Sequence, residues 1–310
     1  MFGFINLNKP PGFTSHDCVA KTRRLLNTKK VGHGGTLDPK ATGVLPIAVG
    51  KATRLLQFLP EKKAYRARVR LGMQTTTDDL EGEAIATTRV DNLNKEDLIK
   101  YLDRFIGEIE QVPPVYSAIK QKGKKLYELA RAGIEVEVPK RKVIIYSCEL
   151  IDIFPGEFPE VEIAVSCGSG TYIRAIARDL GNMLGVGGTL ANLIRTQSCS
   201  LQLQNSISFT DIENQLQNNS FQLINPDDLL SHLIAVTLDY DESKRWCNGQ
   251  SIEITNNQSF SENNTNKQIS TTEKDRYLRV YNQEKCFLGI GIFIEQDGIA
   301  MSKPKIVCAS

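Results

Sequence analysis

An α+β fold is compatible with three patterns in this sequence of 310 residues. Residues 64–71 alternate between apolar and basic side chains, which is the period of a β-strand with one buried face. Apolar residues between positions 173 and 184 recur with the period of an α-helix. The C-terminal part predicts short strands separated by polar loops. We therefore expect a helix-containing domain over residues 1–232 and a small β domain over residues 233–310.

The overall composition is that of an ordinary globular protein, with 41% hydrophobic and 24% charged residues. No apolar run reaches the ~18 residues of a membrane span, and the N-terminus lacks the pattern of a signal peptide. The seven cysteines are scattered and include no Cys-x-x-Cys pair, which favours reduced thiols. We expect a cytoplasmic protein that does not associate with membranes.

The charge is unevenly distributed, although the net charge is only +2. Residues 1–75 hold 14 Lys and Arg against 3 Asp and Glu, whereas the rest of the chain holds 24 against 33. This asymmetry is typical of a surface that binds a polyanion such as a nucleic acid. The alternative is that the two oppositely charged parts neutralise each other in the folded protein.

Residues 2–8 predict a short strand, which the run Pro10-Pro11-Gly12 ends. Thr14 or Ser15 provides the N-cap of a helix that extends to about residue 26. Lys9 has a fixed position immediately before the two prolines, and we expect it to support a neighbouring loop structurally.

Residues 31–46 contain a single acid, Asp38. Its neighbours include five Gly or Pro residues: Gly32, Gly34, Gly35, Pro39 and Gly43. Glycine permits a positive φ and close approach of another backbone, and Pro39 disfavours a helix at the preceding residue. Asp38 is therefore predicted to lie on a shaped loop in basic surroundings, where an ionised carboxylate could act as a nucleophile. The alternative is a tight turn in which Asp38 accepts hydrogen bonds from its own backbone.

An acidic cluster follows the predicted strand at residues 75–83. Its carboxylates are oxygen ligands of the kind that Mg²⁺ prefers, so a metal site is one interpretation. No spacing in this cluster matches a calcium loop. We favour the alternative, in which Asp79 forms local hydrogen bonds or pairs with an arginine.

The middle of the chain predicts a helix over residues 94–107, with Leu98, Leu102, Phe105 and Ile106 on its buried face. A rigid segment, a lysine cluster and a second helix then follow at residues 111–120, 120–125 and 126–132. The lysines could bind phosphates or could simply keep a loop soluble.

The later part of the chain predicts two strands, a helix that begins near Tyr172, and polar loops. The strands are predicted at residues 143–154 and 161–167, and the loops at residues 213–222 and 255–272. Five further strands are predicted in the C-terminal domain at residues 234–238, 251–254, 277–281, 286–295 and 299–301.

Five blocks of the sequence keep a common order and spacing, and together they resemble the motifs of the TruB family, the tRNA pseudouridine-55 synthases. The blocks are Leu7-Asn-Lys-Pro-Pro-Gly-Phe-Thr-Ser15, residues 32–46 around Asp38, Tyr65-Arg-Ala-Arg-Val-Arg-Leu-Gly72, Gln111-Val-Pro-Pro-Val-Tyr-Ser-Ala-Ile-Lys120 and Gly170-Thr-Tyr-Ile-Arg174. The resemblance spans about residues 3 to 200.

The resemblance implies the pseudouridine synthase fold, in which a mixed, largely antiparallel sheet is flanked by helices and the catalytic loop lies in a central cleft. The run Trp246-Cys-Asn-Gly-Gln250 is similar to the PUA-like domains that often follow this catalytic domain. The C-terminal residues are therefore expected to form a small PUA-like β domain that binds RNA.

The implied activity is isomerisation of the uridine at position 55, in the T-arm of tRNA, to pseudouridine. The reaction imports no group and oxidises nothing, so no cofactor or metal is expected. Because folded RNA shields the target base, the base must be flipped out, at a cost of a few kcal/mol. The resemblance assigns Asp38 as the nucleophile and pairs it with Arg174.

The same resemblance places four further residues in the site. Tyr65 is expected to stack on the target base, and Tyr172 to line the pocket and to assist a proton transfer. Leu193 is expected to form an apolar wall, and His33 to fill the space that the flipped base leaves in the RNA stack. On pattern alone, Tyr65 is equally compatible with ordinary half-buried packing, and His33 with a structural histidine whose hydrogen bonds are satisfied.

Two other functions remain open at this point. The first is a non-catalytic module that binds or folds RNA, which the basic N-terminal quarter and the C-terminal β domain would support. The second is a metal-dependent nuclease built on the acidic cluster: Asp78, Asp79, Glu81 and Glu83. For the synthase we expect a monomer whose partner is tRNA.

Overall fold

The computed structural model describes residues 1–117, 120–121, 124–126, 138–254, 277–296 and 298–308. The predicted lysine cluster, the helix beyond residue 126 and the polar segment 255–272 therefore lie wholly or partly outside the described residues. Among those described, no helix combines the length and the apolar character needed to cross a membrane.

Strands outnumber helices along the described part of the chain and often follow one another directly. The strands are β1 Gly3–Lys9, β2 Val31–His33, β3 Thr42–Val49, β4 Lys63–Leu71, β5 Met73–Thr75, β6 Ala84–Thr87, β7 Gly107–Gln111, β8 Lys120–Gln121, β9 Lys124–Lys125, β10 Arg141–Phe154, β11 Glu160–Cys167, β12 Gly188–Ser198, β13 Leu201–Gln202, β14 Ile234–Leu238, β15 Ile252–Glu253, β16 Tyr277–Asn282, β17 Phe287–Gln296 and β18 Ile299–Val307. The α-helices are α1 Ser15–Leu25, α2 Lys95–Asp103, α3 Ile173–Met183, α4 Phe209–Gln217, α5 Pro226–Leu229 and α6 Tyr240–Cys247.

The main sheet has the order β1-β3-β12-β4-β11-β10-β7, with β2 beside β3 and β13 beside β12. Only the pairing of β3 with β12 is parallel, and the other described pairings in this sheet are antiparallel. Helices α2 and α3 contribute to the apolar core on one face of the sheet. The mixed, largely antiparallel sheet flanked by helices is therefore confirmed.

Strand β4 lies at the centre of this sheet and shows the predicted alternation. Tyr65, Ala67, Val69 and Leu71 are buried, whereas the intervening arginines point to the other face. There Arg70 pairs with Glu160 at 2.7 Å. The arginine face is therefore neutralised by acids of the adjacent strand β11.

The C-terminal part forms a second, five-stranded sheet in the order β14-β16-β17-β18-β15. Trp246 of α6 is fully buried in the core of this part, which confirms a small β-rich unit. A separate apolar cluster joins the two sheets through Phe4, Val44, Ile290 and Ile306, which we call the junction cluster. The rings of Phe58 and Tyr277 also meet at a centroid distance of 4.8 Å in this region.

Two sequence predictions were wrong. The first half of the polar segment 213–222 belongs to the helix α4, which ends at Gln217, because Ser208 and Asp211 form a capping box and Ile212 is buried. The helix predicted over residues 94–107 ends at Asp103, and Ile106 is 47% exposed rather than part of the core.

The patterns did not reveal strands β3 and β12, although both lie inside the sheet. Both strands are interrupted by residues that are unfavourable in strands, and each also pairs with a strand far away in the sequence. Tertiary pairing therefore overrides a weak local preference.

Candidate active site

Asp38 lies on the loop between β2 and β3, and Lys9 holds this loop from the buried side. The Lys9 ammonium is fully buried and donates to the carbonyl oxygens of Pro10, Phe13 and Pro39 at 2.9, 2.6 and 2.9 Å. Burial lowers the pKa of Lys9, and the nearby Asp38 carboxylate opposes that shift. The expected structural role of Lys9 is confirmed, since its ammonium ties the turn after β1 to the residue that follows Asp38.

Ser15 and Arg195 bond to the same loop. The Ser15 hydroxyl accepts a hydrogen bond from the Leu37 amide at 2.9 Å and donates to the Leu37 carbonyl at 3.2 Å. The buried Arg195 guanidinium donates to the carbonyl oxygens of Gly35, Thr36 and Val44 at 3.2, 3.3 and 2.7 Å. Sequence analysis missed both residues, because bonds to main-chain oxygens leave no signature in the bonded residues.

Gly43 permits the closest approach of β3 to β12. Its φ is +99°, and a β-carbon at this position would lie 2.3 Å from the Arg195 carbonyl oxygen. The glycine therefore allows Arg195 to reach across and bond the loop.

The Asp38 carboxylate meets the Arg174 guanidinium at the start of α3. Arg174 Nε lies 3.1 Å from Asp38 Oδ2, and Nη2 lies 3.5 Å from Oδ1. The Asp38 side chain is 40% exposed, whereas that of Arg174 is only 8% exposed. A carboxylate is thus presented to solvent beside a buried cation, and the two side chains that the family resemblance pairs do meet.

Two further segments converge on Arg174. Its Nη1 donates to the Thr77 carbonyl at 3.2 Å and lies 3.6 Å from the Asp79 carboxylate. Its Nη2 donates to the Tyr116 carbonyl at 3.1 Å. Asp79 in turn accepts hydrogen bonds from the Thr77 hydroxyl and the Glu81 amide at 2.6 and 3.0 Å. The favoured interpretation of Asp79, local hydrogen bonds with an arginine partner, is confirmed.

Arg178, one helical turn after Arg174, makes a parallel set of contacts. Its Nη1 lies 2.8 Å from the Asp78 carboxylate, and its Nη2 donates to the Val112 carbonyl at 2.9 Å. Burial raises the pKa of Asp78, and the Arg178 charge opposes that shift. Within the part of the chain that the structure describes, no three His, Cys, Asp or Glu side chains are arranged to hold a metal ion.

Tyr65 and Leu193 lie beside the Asp38 loop in one apolar cluster, which also contains Leu37 and Ile173. Both are largely buried, with 8% and 9% of their surfaces exposed. Burial raises the pKa of the Tyr65 phenol, while the neighbouring Arg195 opposes the shift. An apolar floor with one aromatic ring therefore adjoins the carboxylate.

Tyr172 caps the N-terminus of α3, and Gln111 fixes its backbone. The Tyr172 amide donates to Gln111 Oε1 at 2.8 Å, and Gln111 Nε2 donates to the Tyr172 carbonyl at 3.1 Å. Gln111 is only 2% exposed, so this two-bond contact is shielded from water. This contact fixes the position of Tyr172 and of the first turn of α3.

His33 ends β2 at the opposite end of the loop from Asp38. Its ring meets the His16 ring edge-on at a centroid distance of 5.2 Å. Burial lowers the pKa of His33, and the neighbouring cationic groups add to that shift. The structure therefore places His33 beside α1.

The arrangement combines a partly exposed carboxylate, a buried guanidinium that orients it, an apolar floor and a tyrosine at a helix start. Such a site can hold a planar ring against the floor while the carboxylate attacks an adjacent electrophilic carbon. The acid–cation pairing keeps the carboxylate oriented.

Two family models match this chain. Residues 23–173 match the model described as TruB family pseudouridylate synthase (N terminal domain), and residues 235–300 match the model described as Pseudouridine synthase II TruB, C-terminal.

Similar proteins include the tRNA pseudouridine synthase B of Gloeothece citriformis, which is 54% identical over 99% of this chain and 97% of its own length. The protein of the same name from Trichormus variabilis is 53% identical over 94% of both chains. Among solved structures, a chain of a Cbf5-Nop10-Gar1 complex superimposes with a TM-score of 0.73 at 26% identity. That match covers 98% of this chain and 84% of the other.

Proposed function

Because this chain belongs to the TruB family of pseudouridylate synthases, we propose that it converts the uridine at position 55, in the T-arm of tRNA, to pseudouridine. The observation that supports this proposal is the position of the Asp38 carboxylate, which is exposed to solvent and pairs with the buried Arg174. The reaction breaks the bond between uracil N1 and the ribose and joins uracil C5 to the same ribose carbon. The C5 proton is lost to solvent and N1 gains a proton, so the atoms balance.

Asp38 is the nucleophile and attacks either the ribose or the uracil ring. Arg174 supports this role because its guanidinium faces both carboxylate oxygens, at 3.1 and 3.5 Å. This contact favours the ionised form of the carboxylate and fixes its direction. The bonds of Arg174 to the Thr77 and Tyr116 carbonyls keep the guanidinium in place during the reaction.

The flipped uracil lies on the apolar floor next to Asp38. Tyr65 stacks on its face and Leu193 forms the adjoining wall, which fits their shared apolar cluster. Tyr172 lines the pocket from the start of α3 and assists a proton transfer. His33, at the far end of the loop, fills the space that the base leaves in the RNA stack.

The protein acts on tRNA as a cytoplasmic monomer. One chain supplies both partners of the Asp38–Arg174 pair and the adjoining floor, so a second copy is not needed to complete the site. Apart from the arginines of β4, which pair with acids of β11, the basic residues of positions 1–75 attract the RNA backbone, and residues 233–310 form a second, PUA-like RNA-binding domain.

The decisive experiment measures tritium release from tRNA labelled at uracil C5, for the wild type and for Asp38→Asn. We expect the wild type to release tritium and the variant to lose the activity by about 10⁴-fold or more, since the nucleophile is removed. The variant should still bind tRNA, because its backbone contacts are unchanged.

The competing function, a non-catalytic module that binds or folds RNA, gives a different result. In that case the wild type would release no tritium, while tight tRNA binding would persist in both proteins. A tRNA without uridine at position 55 is the matched substrate control.

A further inference from the structure

Lys63 is the first residue of β4 and lies two positions before Tyr65. Side chains two positions apart on a strand share a face and stand roughly 7 Å apart. Lys63 pairs in register with Cys167 of β11 and with Ser198 of β12, so it lies between two neighbouring strands. Its side chain therefore extends along the same face as the ring assigned to the target base.

The Lys63 ammonium reaches the catalytic loop at Gly35. A β-carbon built on Gly35 would lie 3.8 Å from Lys63 Nζ and 3.7 Å from Arg195 Nη1. Two cationic groups thus converge on one residue of the loop, three positions before Asp38. Gly35 has a φ of +113° and no side chain, so both cations can lie close to its backbone.

Neither cation forms an ion pair among the residues that the structure describes, although the Glu61 charge acts on Lys63 from a greater distance. No carboxylate of that set lies within 4.0 Å of Lys63 Nζ or of the Arg195 guanidinium. Arg195 is bonded to main-chain carbonyls, which leave its charge uncompensated. Burial lowers the pKa of Lys63 and the Arg195 charge adds to that shift, while the Glu61 carboxylate opposes it.

We propose that Lys63 binds a backbone phosphate of the RNA next to the flipped nucleotide, above Gly35. This inference rests on the proposed function and adds a contact to it. A lysine ammonium suits this task because it bonds phosphate as a compact point charge. Lys63 and Tyr65 are two strand residues apart. Tyr65 can therefore stack on the base while Lys63 contacts the adjoining RNA backbone.

The test compares Lys63→Met with the matched control Lys62→Met, using tRNA binding measured at several salt concentrations. Lys62 is the adjacent residue in the sequence, and its Nζ lies 5.7 Å from the Tyr146 ring centroid. Both variants lose one positive charge, so the control accounts for the change in net charge. For Lys63→Met we expect the Kd to rise about tenfold and the slope of log affinity against log salt to fall by about one. Lys62→Met should keep the wild-type slope.

Turnover and stability complete the test. Because a phosphate contact binds substrate and transition state equally, Lys63→Met should raise KM and leave kcat unchanged. Lys63→Arg should restore most of the salt slope. The Tm of Lys63→Met should stay equal or rise, since a desolvated charge is removed.

Three results would overturn the proposal: an unchanged salt slope, an equal loss in Lys62→Met, or a marked fall in the Tm of Lys63→Met. The last would show that the ammonium supports the loop instead of the RNA. Failure of the proposed catalysis is distinguishable, because it would abolish tritium release in the wild type while the salt slopes of the two variants still differed.

Discussion

The Arg174 guanidinium contacts several oxygen atoms. Of the side chains that supply them, only Asp38 is substantially exposed. The Asp38 side chain is 40% exposed, compared with 15% for the Asp79 side chain. The remaining partners are the main-chain carbonyls of Thr77 and Tyr116. A planar group with five donors can satisfy these directions at once, which a lysine ammonium cannot.

The first prediction at this scale concerns Arg174→Lys. The variant keeps the charge but cannot reach Asp38, Asp79 and both carbonyls together. We expect kcat/KM for tRNA to fall about 100-fold or more, because the nucleophile loses its fixed direction. Steady-state kinetics would measure the effect, with Arg24→Lys on the exposed side of α1 as the control. Equal activity of the two variants would contradict the orienting role.

The second prediction concerns the pH dependence of stability at His33. Burial lowers the pKa of His33 below the ordinary value of 6.5. As the pH falls below 6.5, the unfolded chain takes up a proton before the folded protein does, so acidification destabilises the fold until the lower folded pKa is passed. The wild type should therefore lose more stability than His33→Gln between pH 7 and pH 5. Urea midpoints at both pH values measure this, and parallel curves would refute it.

At the scale of elements, the catalytic loop is held by side chains from three distant elements. Lys9 comes from β1, Ser15 from α1 and Arg195 from β12. All three are buried, with 0, 1 and 0% of their surfaces exposed. Their bonds run to main-chain atoms of the loop and its flanks, so the loop is positioned by the sheet rather than by its own sequence.

A third prediction tests the approach of β3 to β12. Gly43→Ala places a methyl group against the Arg195 carbonyl in a left-handed backbone conformation. We expect a loss of about 3 kcal/mol or more from steric overlap and strain, with loss of activity as the loop shifts. Gly12→Ala is the matched control, because its φ is +80° but its β-carbon would meet nothing within 4 Å. That variant should lose only about 1 kcal/mol in urea unfolding.

The sequence allowed prediction of those elements whose signals are local. The alternation of β4, the capped helix α1 and the first C-terminal strand all follow from neighbouring residues. Helix α4 was missed because asparagine and glutamine dominate its exposed face, while one capping box starts it. Strand β12 was missed because its place is set by pairing with β4 and β3.

The contacts of the candidate site likewise divide into those that were predicted from the sequence and those that only the folded chain reveals. The Asp38–Arg174 contact was foreseen from the family motifs, and the two side chains do meet. The ties from Lys9 to Pro39 and from Gln111 to Tyr172 join residues 30 and 61 positions apart. A bond to a main-chain oxygen leaves no pattern at its acceptor, so only the folded chain reveals it. The roles of Tyr65, Tyr172, Leu193 and His33 toward RNA stay predictions.

At the scale of the whole molecule, the junction cluster makes the two sheets one packed body. Phe4 and Val44 of the main sheet are fully buried against Ile290 and Ile306 of the C-terminal sheet. Lys51 adds a polar tie, donating to the Cys308 carbonyl at 3.0 Å. Apolar burial of this kind opposes independent motion of the two units.

The fourth prediction is that Ile290→Ala destabilises both units together. Ile290 is fully buried, so we expect a loss of about 2–5 kcal/mol in one cooperative transition. The only tryptophan, Trp246, lies in the C-terminal core, and its fluorescence reports on that unit. Fluorescence and far-ultraviolet circular dichroism midpoints should shift equally. Separate midpoints would contradict a shared core.

The way in which the loop is held also has an evolutionary consequence. Lys9, Ser15 and Arg195 form hydrogen bonds to main-chain atoms of the loop and its flanks. Most loop side chains therefore take no part in the contacts that hold the loop. Lys40, next to Pro39, has a side chain that is 67% exposed. Such outward positions are open to mutational drift or to randomised libraries, while the Asp38 carboxylate keeps its place. Substrate preference could thus diversify around a fixed reactive centre.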